Sequence, residues 1–344
     1  MRFFSKAFVI TALLAGSLAG SLTGATTAGA DPVKISGTTT VGVHNTYDPA
    51  AYPYLAQALD AGSSLIELDV WPDVFTHEWK VSHDSLTSNS NNCVAATSAA
   101  GLYTGGQNKN LEYCLDDIRI WLAAHPGHGP ETIKIEMKTG FSDNLGLGPD
   151  ELDATIRAHL GSLVFKPADL LGNYTTLDEA ARANNWPSRD SLNGKVMIEI
   201  IPGTVEESNP TDTLRTDVEY AQYVRSLKNA GRLGDAQIFP TVHGAAGGDP
   251  RSKYSDVDLR SWFVVFDGDA NTWVTQTGPW WYDANHYFVV MTDAQNVAPA
   301  IDSRNPTVDQ ANQRVADLAK AHASVVTSDW VGLTTVLPQV LTRG

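Results

Sequence analysis

Eight short runs rich in valine and isoleucine recur along the chain, at 40–44, 65–70, 132–137, 196–201, 237–242, 262–266, 287–291 and 324–327. No other feature limits the fold so sharply. Short, nearly continuous apolar runs of β-branched residues mark strands that are covered on both faces, the situation of a parallel sheet. Between several runs the spacing turns helical. Leu111, Leu115, Ile118 and Leu122 share one face, as do Ala311, Val315 and Leu318, and further helices are expected over 52–61 and 151–160. Eight strands alternating with helices predict an α/β chain, a parallel (β/α)8 barrel of the TIM type in a single domain. The connections around 251–258 and 271–282 show no helical pattern, so the barrel is expected to be irregular on one side. An open doubly wound sheet would use the same elements, but no glycine-rich phosphate fingerprint follows the first strand.

The first thirty residues stand outside that rhythm. Arg2 and Lys6 precede an apolar stretch over 7–19, and Ala28-Gly29-Ala30 offers small residues for cleavage. This is the layout of a secretory signal peptide, 1–30, with the folded chain over 31–344 and a secreted product. A membrane anchor would need a longer and more apolar segment, and no internal run reaches the roughly 20 residues of a membrane span. Secretion gives the two cysteines a meaning: Cys93 and Cys114 are expected to pair in an oxidising compartment. The bond would close a loop of about twenty residues, worth on the order of 3 kcal/mol in the chain-entropy view. The 344 residues are 42% hydrophobic and 18% charged, which excludes a disordered chain. The net charge of -15 excludes a nucleic-acid partner, because nothing here neutralises a run of phosphates. No protein partner is implied, and a monomer is expected.

Barrels of this type carry their chemistry at the carboxyl ends of the strands. The first run ends in His44-Asn45-Thr46-Tyr47-Asp48, and the second reads Leu65-Ile66-Glu67-Leu68-Asp69-Val70-Trp71. Strand alternation turns Glu67 and Asp69 to one face and Ile66 and Leu68 to the other. In the third run Lys134, Glu136 and Lys138 share a face, read as the barrel interior. Two carboxylates one pleat apart on a buried face repel each other and need a cation or a shared proton. Glu67, Asp69, Glu136 and the amide oxygen of Asn45 are hard oxygen donors, a set that suits Ca²⁺, or Mg²⁺ with more water. The plainer alternative is a structural ion-pair network, but three buried acids without compensation would cost several kcal/mol each. Two histidines join the set. His44 closes the first strand, and His83 follows a hairpin turn at 76–79 in Lys80-Val81-Ser82-His83-Asp84. An imidazole titrates near ~6.5 and passes protons at neutral pH. His243 and His286 adjoin strands and are weaker candidates. His77, His159 and His322 read as surface or helix residues, and His125 and His128 lie in a loop rich in proline and glycine.

The run His44-Asn45-Thr46-Tyr47, then Glu67-Leu68-Asp69, then His83, then Glu136 resembles the catalytic half of the calcium-dependent phosphoinositide-specific phospholipases C in order, strand placement and spacing. It is most similar to the compact secreted bacterial branch, and the resemblance covers roughly residues 40 to 140. Metal-free bacterial members of the superfamily differ by carrying a basic residue where this type has acidic ligands. The resemblance implies that Asn45, Glu67, Asp69 and Glu136 hold one Ca²⁺, and that His44 stabilises charge on the phosphoryl oxygens. It further implies that His83 protonates the leaving diacylglycerol oxygen and that Glu136 assists deprotonation of the attacking inositol hydroxyl. The expected substrate is phosphatidylinositol at a membrane or micelle surface, and the products are diacylglycerol and a cyclic inositol phosphate.

One departure concerns the headgroup. The animal enzymes hold extra ring phosphates with a lysine on the fourth strand, whereas this chain reads Lys195-Val196-Met197-Ile198-Glu199-Ile200-Ile201. Lys138 and Glu199 are therefore expected to touch substrate, with Glu199 repelling ring phosphates and favouring plain phosphatidylinositol. Equally, Glu199 could pair with Lys138 or Lys134 across neighbouring strands. The aromatic segment Trp273, Trp280, Trp281, Tyr282 reads either as a lipid-interface loop or as packing over the irregular side. Competing functions are a glycerophosphodiester phosphodiesterase, a hydrolase of soluble inositol phosphates, and a non-catalytic barrel that binds lipid or sugar. The first usually places Arg and Gly after its first histidine, where Asn45 and Thr46 stand here. The acidic balance disfavours the second, and the pairing of both histidines with all four ligands disfavours the third.

Overall fold

Each valine and isoleucine run becomes a strand of one curled sheet in the computed structural model, which describes residues 32–344. The expected signal segment, 1–30, lies outside the described residues. The strands are β1 (Thr38–Val43), β2 (Leu65–Asp73), β3 (Glu78–Val81), β4 (Glu131–Met137), β5 (Val164–Phe165), β6 (Val196–Pro202), β7 (Phe239–His243), β8 (Val265–Asp269), β9 (Phe288–Thr292), β10 (Val325–Ser328) and β11 (Val340–Thr342). The parallel set runs in the order β1-β10-β9-β8-β7-β6-β4-β2, which is the eight-strand barrel expected. Three short strands lie outside it. β3 folds back antiparallel on β2 through the expected hairpin, β5 pairs with β6, and β11 pairs antiparallel with β1.

The two ends of the parallel set, β1 and β2, meet without a strand ladder among the described residues. Serines bridge the gap instead. The Ser64 amide and hydroxyl both donate to the Val41 carbonyl at 2.8 Å, and the Ser63 hydroxyl accepts from the Val43 amide at 3.0 Å. Gly42 makes this approach possible, because a Cβ there would lie 2.5 Å from the Leu65 Cβ.

Helices coat the barrel with their apolar faces inward, as the spacing predicts. Leu111–Ala124 buries Leu111, Leu115, Ile118 and Leu122, and Val308–Lys320 buries Ala311, Val315 and Leu318. The latter starts on a capping box, Thr307 with Gln310. The helix expected at 151–160 begins two residues earlier, at Pro149, because proline is pre-set for the first helical position. After β7 and β8 the long helices give way to short turns at Pro250–Lys253, Val257–Trp262 and Trp280–Ala284, so the irregular side lies where it was expected. The sixth strand starts later than its apolar run: Trp262 closes a turn, and β8 begins at Val265. Arg251 fills this side, paired with Asp178 and Asp249 and stacked 5.0 Å from the Tyr287 ring centroid. Cys93 and Cys114 form a disulfide that ties the segment after β3 to helix Leu111–Ala124.

Candidate active site and metal centre

Parallel register sets the interior acids in two levels. Glu67 on β2 stands beside Lys134 on β4, and one pleat higher Asp69 stands beside Glu136. Carboxylate oxygens of Glu67, Asp69 and Glu136 lie within 4.8 Å of one another. Two buried lysines run between them. The Lys134 ammonium is 3.3 Å from Glu67 Oε1 and 3.0 Å from Asp267 Oδ2, and the Lys138 ammonium is 3.1 Å from Asp69 Oδ2 and 2.8 Å from Glu136 Oε1. The loop after β1 closes over this group. Asn45 takes a left-handed conformation, φ 53°, which asparagine tolerates, and its amide donates to Glu67 Oε2 at 3.0 Å. The Tyr47 hydroxyl donates to Asp69 Oδ2 at 2.8 Å.

These contacts split the acids. Burial works to raise the Glu67 carboxyl, but the charges of Lys134 and His44 outweigh it and hold it down at about 2. Burial and the neighbouring Glu136 and Glu67 push Asp69 up to about 7. A carboxyl this reluctant to ionise beside two others is what a cation would relieve. Asp69 Oδ1 is also buried with no hydrogen-bond partner among the described residues. Three convergent carboxylates, one with an unused oxygen, fit a hard divalent ion such as Ca²⁺. A second acidic group, Asp143, Asp150 and Glu151, lies on the surface away from the strands.

The two histidines occupy different settings. His44 stands above Glu67, with Nε2 3.8 Å from Glu67 Oε2 and Nδ1 3.0 Å from Asp329 Oδ1. The Glu67 charge, aided by the Asp329 bond and against the effect of burial, raises its pKa to about 9. His83 stands on the rim. Ser82 donates its amide to the Asp69 carbonyl at 3.1 Å, which sets His83, just past the end of β3, beside the level of Asp69 on β2, and His83 Nδ1 lies 2.6 Å from Asp84 Oδ1. Its ring is largely exposed and does not line the central cavity. That cavity, about 140 Å³, is lined by His44, Glu67, Glu136, Thr204, His243 and Asp267 among others. A groove of about 360 Å³ opens on the other side of His44, between Asn45, Asp48, Arg304 and Asp329.

Glu199, expected to meet ring phosphates, is corrected by the register. It stands in register with Lys134, one pleat below Glu136, and is fully buried outside the cavity lining. Burial first, then the Asp267 charge, raises its carboxyl well above the usual range. Alternation told that Glu199 points inward, but not how deep it sits. Lys138 does stand at the upper level, engaged with Asp69 and Glu136. In the aromatic segment, Trp273 and Tyr282 are buried and Trp280 is 67% exposed.

Sequence reasoning passed over Asp329, Asp267 and Tyr47, and ranked His243 low. Asp329 directly follows β10 and Asp267 lies within β8, two residues before its end, so nearness to a strand's carboxyl end was the one signal available. His243, at the end of β7, lines the cavity, with Nδ1 2.7 Å from Glu207 Oε1 and Nε2 4.0 Å from Asp267 Oδ1. Burial opposes its charging, but the Glu207 bond and the Asp267 charge prevail and raise its pKa.

Residues 99–229 match the family described as phosphoinositide phospholipase C, Ca²⁺-dependent. A Ca²⁺-dependent phosphatidylinositol-specific phospholipase C from Streptomyces antibioticus shares 50% identity over 91% of this chain and 99% of its own, with a TM-score of 0.89. A calcium-dependent phosphoinositol-specific phospholipase C from a Gram-negative bacterium, Pseudomonas sp., solved with myo-inositol, has the same fold at 20% identity and a TM-score of 0.67, over 90% and 96% of the two chains. No curated protein sequence matches the chain.

Proposed function

The chain belongs to the Ca²⁺-dependent phosphatidylinositol-specific phospholipases C, and from that premise we propose how its own residues divide the work. It is a Ca²⁺-dependent enzyme that cleaves the phosphodiester of phosphatidylinositol. Asn45, Glu67, Asp69 and Glu136 hold the ion. When bound, the ion supplies Lewis acidity, lowering the pKa of the attacking inositol hydroxyl and drawing charge from a phosphoryl oxygen.

The rest falls to side chains. His44, fixed by Asp329 on one side and Glu67 on the other, donates to a phosphoryl oxygen as negative charge grows there. Glu136 takes the proton of the attacking hydroxyl. The hydroxyl oxygen bonds to phosphorus, the bond from phosphorus to the glycerol oxygen breaks, and His83 delivers a proton to that oxygen. Asp84 holds His83 Nδ1, which leaves Nε2 for the leaving group. The products are diacylglycerol and a cyclic inositol phosphate. The observation that carries this division is the close approach of Glu67, Asp69 and Glu136 directly beneath a histidine oriented by a fourth carboxylate.

The substrate is plain phosphatidylinositol rather than its polyphosphorylated forms. The reason is no longer Glu199. Glu136, Asp267 and the His243–Glu207 pair make the cavity wall acidic, and both nearby lysines are spent on internal acids. The lipid surface meets the strand-end face, where exposed apolar side chains gather in the connections: Phe75 in the β2–β3 turn, Leu145 after β4, Val205 after β6 and Val274 after β8. The leader-like segment 1–30 and the disulfide support secretion of a chain folded over 31–344.

The test compares His44→Ala and His83→Ala on phosphatidylinositol and on an inositol phosphodiester with a nitrophenyl leaving group. His83→Ala should lose ~10²- to 10⁴-fold on the lipid and far less on the activated substrate, which needs little acid help. His44→Ala should be impaired on both. Equal losses throughout would assign the roles wrongly.

A further inference from the structure

His83 bonds through Nδ1 to its neighbour Asp84, and its ring is 62% exposed. Something other than its own packing must fix where it stands relative to the loop that carries His44 and Asn45. The loop that bears it, 82–89, is pinched at its base. Ser90 donates its amide to the Val81 carbonyl at 3.1 Å, and Val81 donates its amide to Asn89 Oδ1 at 2.8 Å. Immediately after this base come Asn91, Asn92 and Cys93, all at 0% exposure.

These three residues reach in three directions. The Asn91 side-chain amide donates to the carbonyls of Val81 and Lys109 at 2.8 Å each, gripping the end of β3 and the far side of its own loop. The Asn92 side-chain amide donates to the carbonyls of Thr46 at 2.9 Å and Tyr52 at 2.8 Å, and its backbone amide donates to the Tyr47 carbonyl at 2.9 Å. Asn92 therefore spans the loop after β1, the one that presents His44, Asn45 and the Tyr47 hydroxyl on Asp69. Cys93 anchors the joint to helix Leu111–Ala124 through the disulfide, and the next amide, of Val94, donates to buried Asp117 at 2.6 Å in the same helix.

We propose that Asn92 is a positioning residue for the reaction, and that the Asn91-Asn92-Cys93 joint holds the proton-donating loop in register with the loop that holds the phosphate and the metal. This rests on the assignment of His83 as the leaving-group acid. Asparagine suits the task because one side-chain amide offers two donors in a fixed plane, here spent on two carbonyls six residues apart. Placement of an acid tolerates little error, since a misplacement of about 1 Å costs on the order of 10²-fold. The joint touches no reacting atom. Its loss should therefore show as poor protonation of the leaving group and not as lost affinity for substrate.

The test measures the full chain with Ca²⁺, wild type against Asn92→Ala, on phosphatidylinositol and on the nitrophenyl diester, with His83→Ala as the benchmark. Asn92→Ala should lower kcat on the lipid by on the order of 10- to 100-fold and on the activated substrate severalfold at most, with KM for both close to wild type. A loss of equal size on the two substrates, or one confined to KM, would reduce Asn92 to a structural role and overturn the proposal. Should Asn92→Ala fail to fold, the double variant Cys93→Ser/Cys114→Ser probes the same joint and should show the same selective loss; equal rates for it and the wild type on the lipid overturn the proposal. If His83→Ala itself lacks leaving-group dependence, the acid assignment fails, and that outcome is recognisable because it needs no Asn92 variant.

Discussion

Replacing Lys134 by methionine removes the charge that lets three acids share the barrel floor. Its ammonium stands 3.3 Å from Glu67 Oε1 and 3.0 Å from Asp267 Oδ2, with Glu199 in register beside it. At an effective dielectric of ~20, each contact at this range carries roughly 5 kcal/mol of gross attraction, offset by the cost of burying the ion. Breaking such a buried pair from one side leaves uncompensated charge and costs about 3 to 5 kcal/mol. Methionine keeps the length and apolar stem, so the loss is electrostatic. The sign with pH follows from Glu67. In the wild type its carboxyl is held at about 2, so its contribution is present above its unfolded pKa and lost only as pH falls toward 2. In Lys134→Met that contribution is absent at neutral pH, and acidification lets the stranded carboxyls take up protons. Urea unfolding in chelator, followed by tryptophan fluorescence, should give a deficit of about 3 to 5 kcal/mol at pH 7 that shrinks at pH 5. A deficit below about 1 kcal/mol at pH 7, or one that grows on acidification, would refute this account of the floor.

Asp69→Asn removes one ligand charge and should raise the Ca²⁺ concentration for half-maximal activity at least roughly tenfold, about 1.4 kcal/mol; an unchanged calcium titration removes Asp69 from the site. Asp153 is buried, accepts from the Tyr220 hydroxyl at 2.7 Å and is pushed up to about 8 by burial, so its stabilising effect is full below pH ~4 and lost as pH rises through 8. Asp153→Asn should therefore gain on the wild type in thermal midpoint between pH 5 and 8, and parallel profiles would contradict the shift. In mixed micelles holding both lipids, phosphatidylinositol should be cleaved at least roughly ten times faster than its 4,5-bisphosphate. Comparable rates would show that the acidic cavity wall does not face the ring.

What could be read from the sequence was whatever repeats or alternates. The eight apolar runs gave the strands, and the inward face of Glu67, Asp69, Lys134 and Glu136 followed from a period of two. Depth along a strand does not follow from alternation, which is why the sequence left Glu199 open between meeting ring phosphates and partnering Lys138 or Lys134, while the β4–β6 register sets it low beside Lys134. Contacts between segments far apart in the chain were equally out of reach. Asp329 meets His44 across 285 residues, and nothing in Ser328-Asp329-Trp330 distinguishes it from a surface acid. The same holds for Asn92, whose carbonyl partners are 40 and 46 residues away, and for His243, whose importance depends on Glu207 and Asp267 being beside it. The strands β5 and β11 are two and three residues long, too short for any pattern.

The barrel's ring is closed by two serines where every other junction has a ladder, and this gives the molecule a preferred place to breathe. Parting a ladder breaks a row of backbone bonds together, whereas β1 and β2 are held by the bonds of Ser63 and Ser64 and, beyond β1, by those of Asn45, Thr46 and Tyr47 to Glu67 and Asp69. Local openings draw on such weak points, so the amides of Val43 and Ser64 should exchange with solvent well before those at the centres of β4 and β6. The two banks of this junction are also the two banks of the proposed metal site, with Asn45 beyond β1 and Glu67 and Asp69 on β2. Calcium held from both sides would then work as a clasp on the ring, and its binding free energy should appear as slowed exchange at that one junction. On this view the ion that equips the enzyme for chemistry is also the last rung of its sheet.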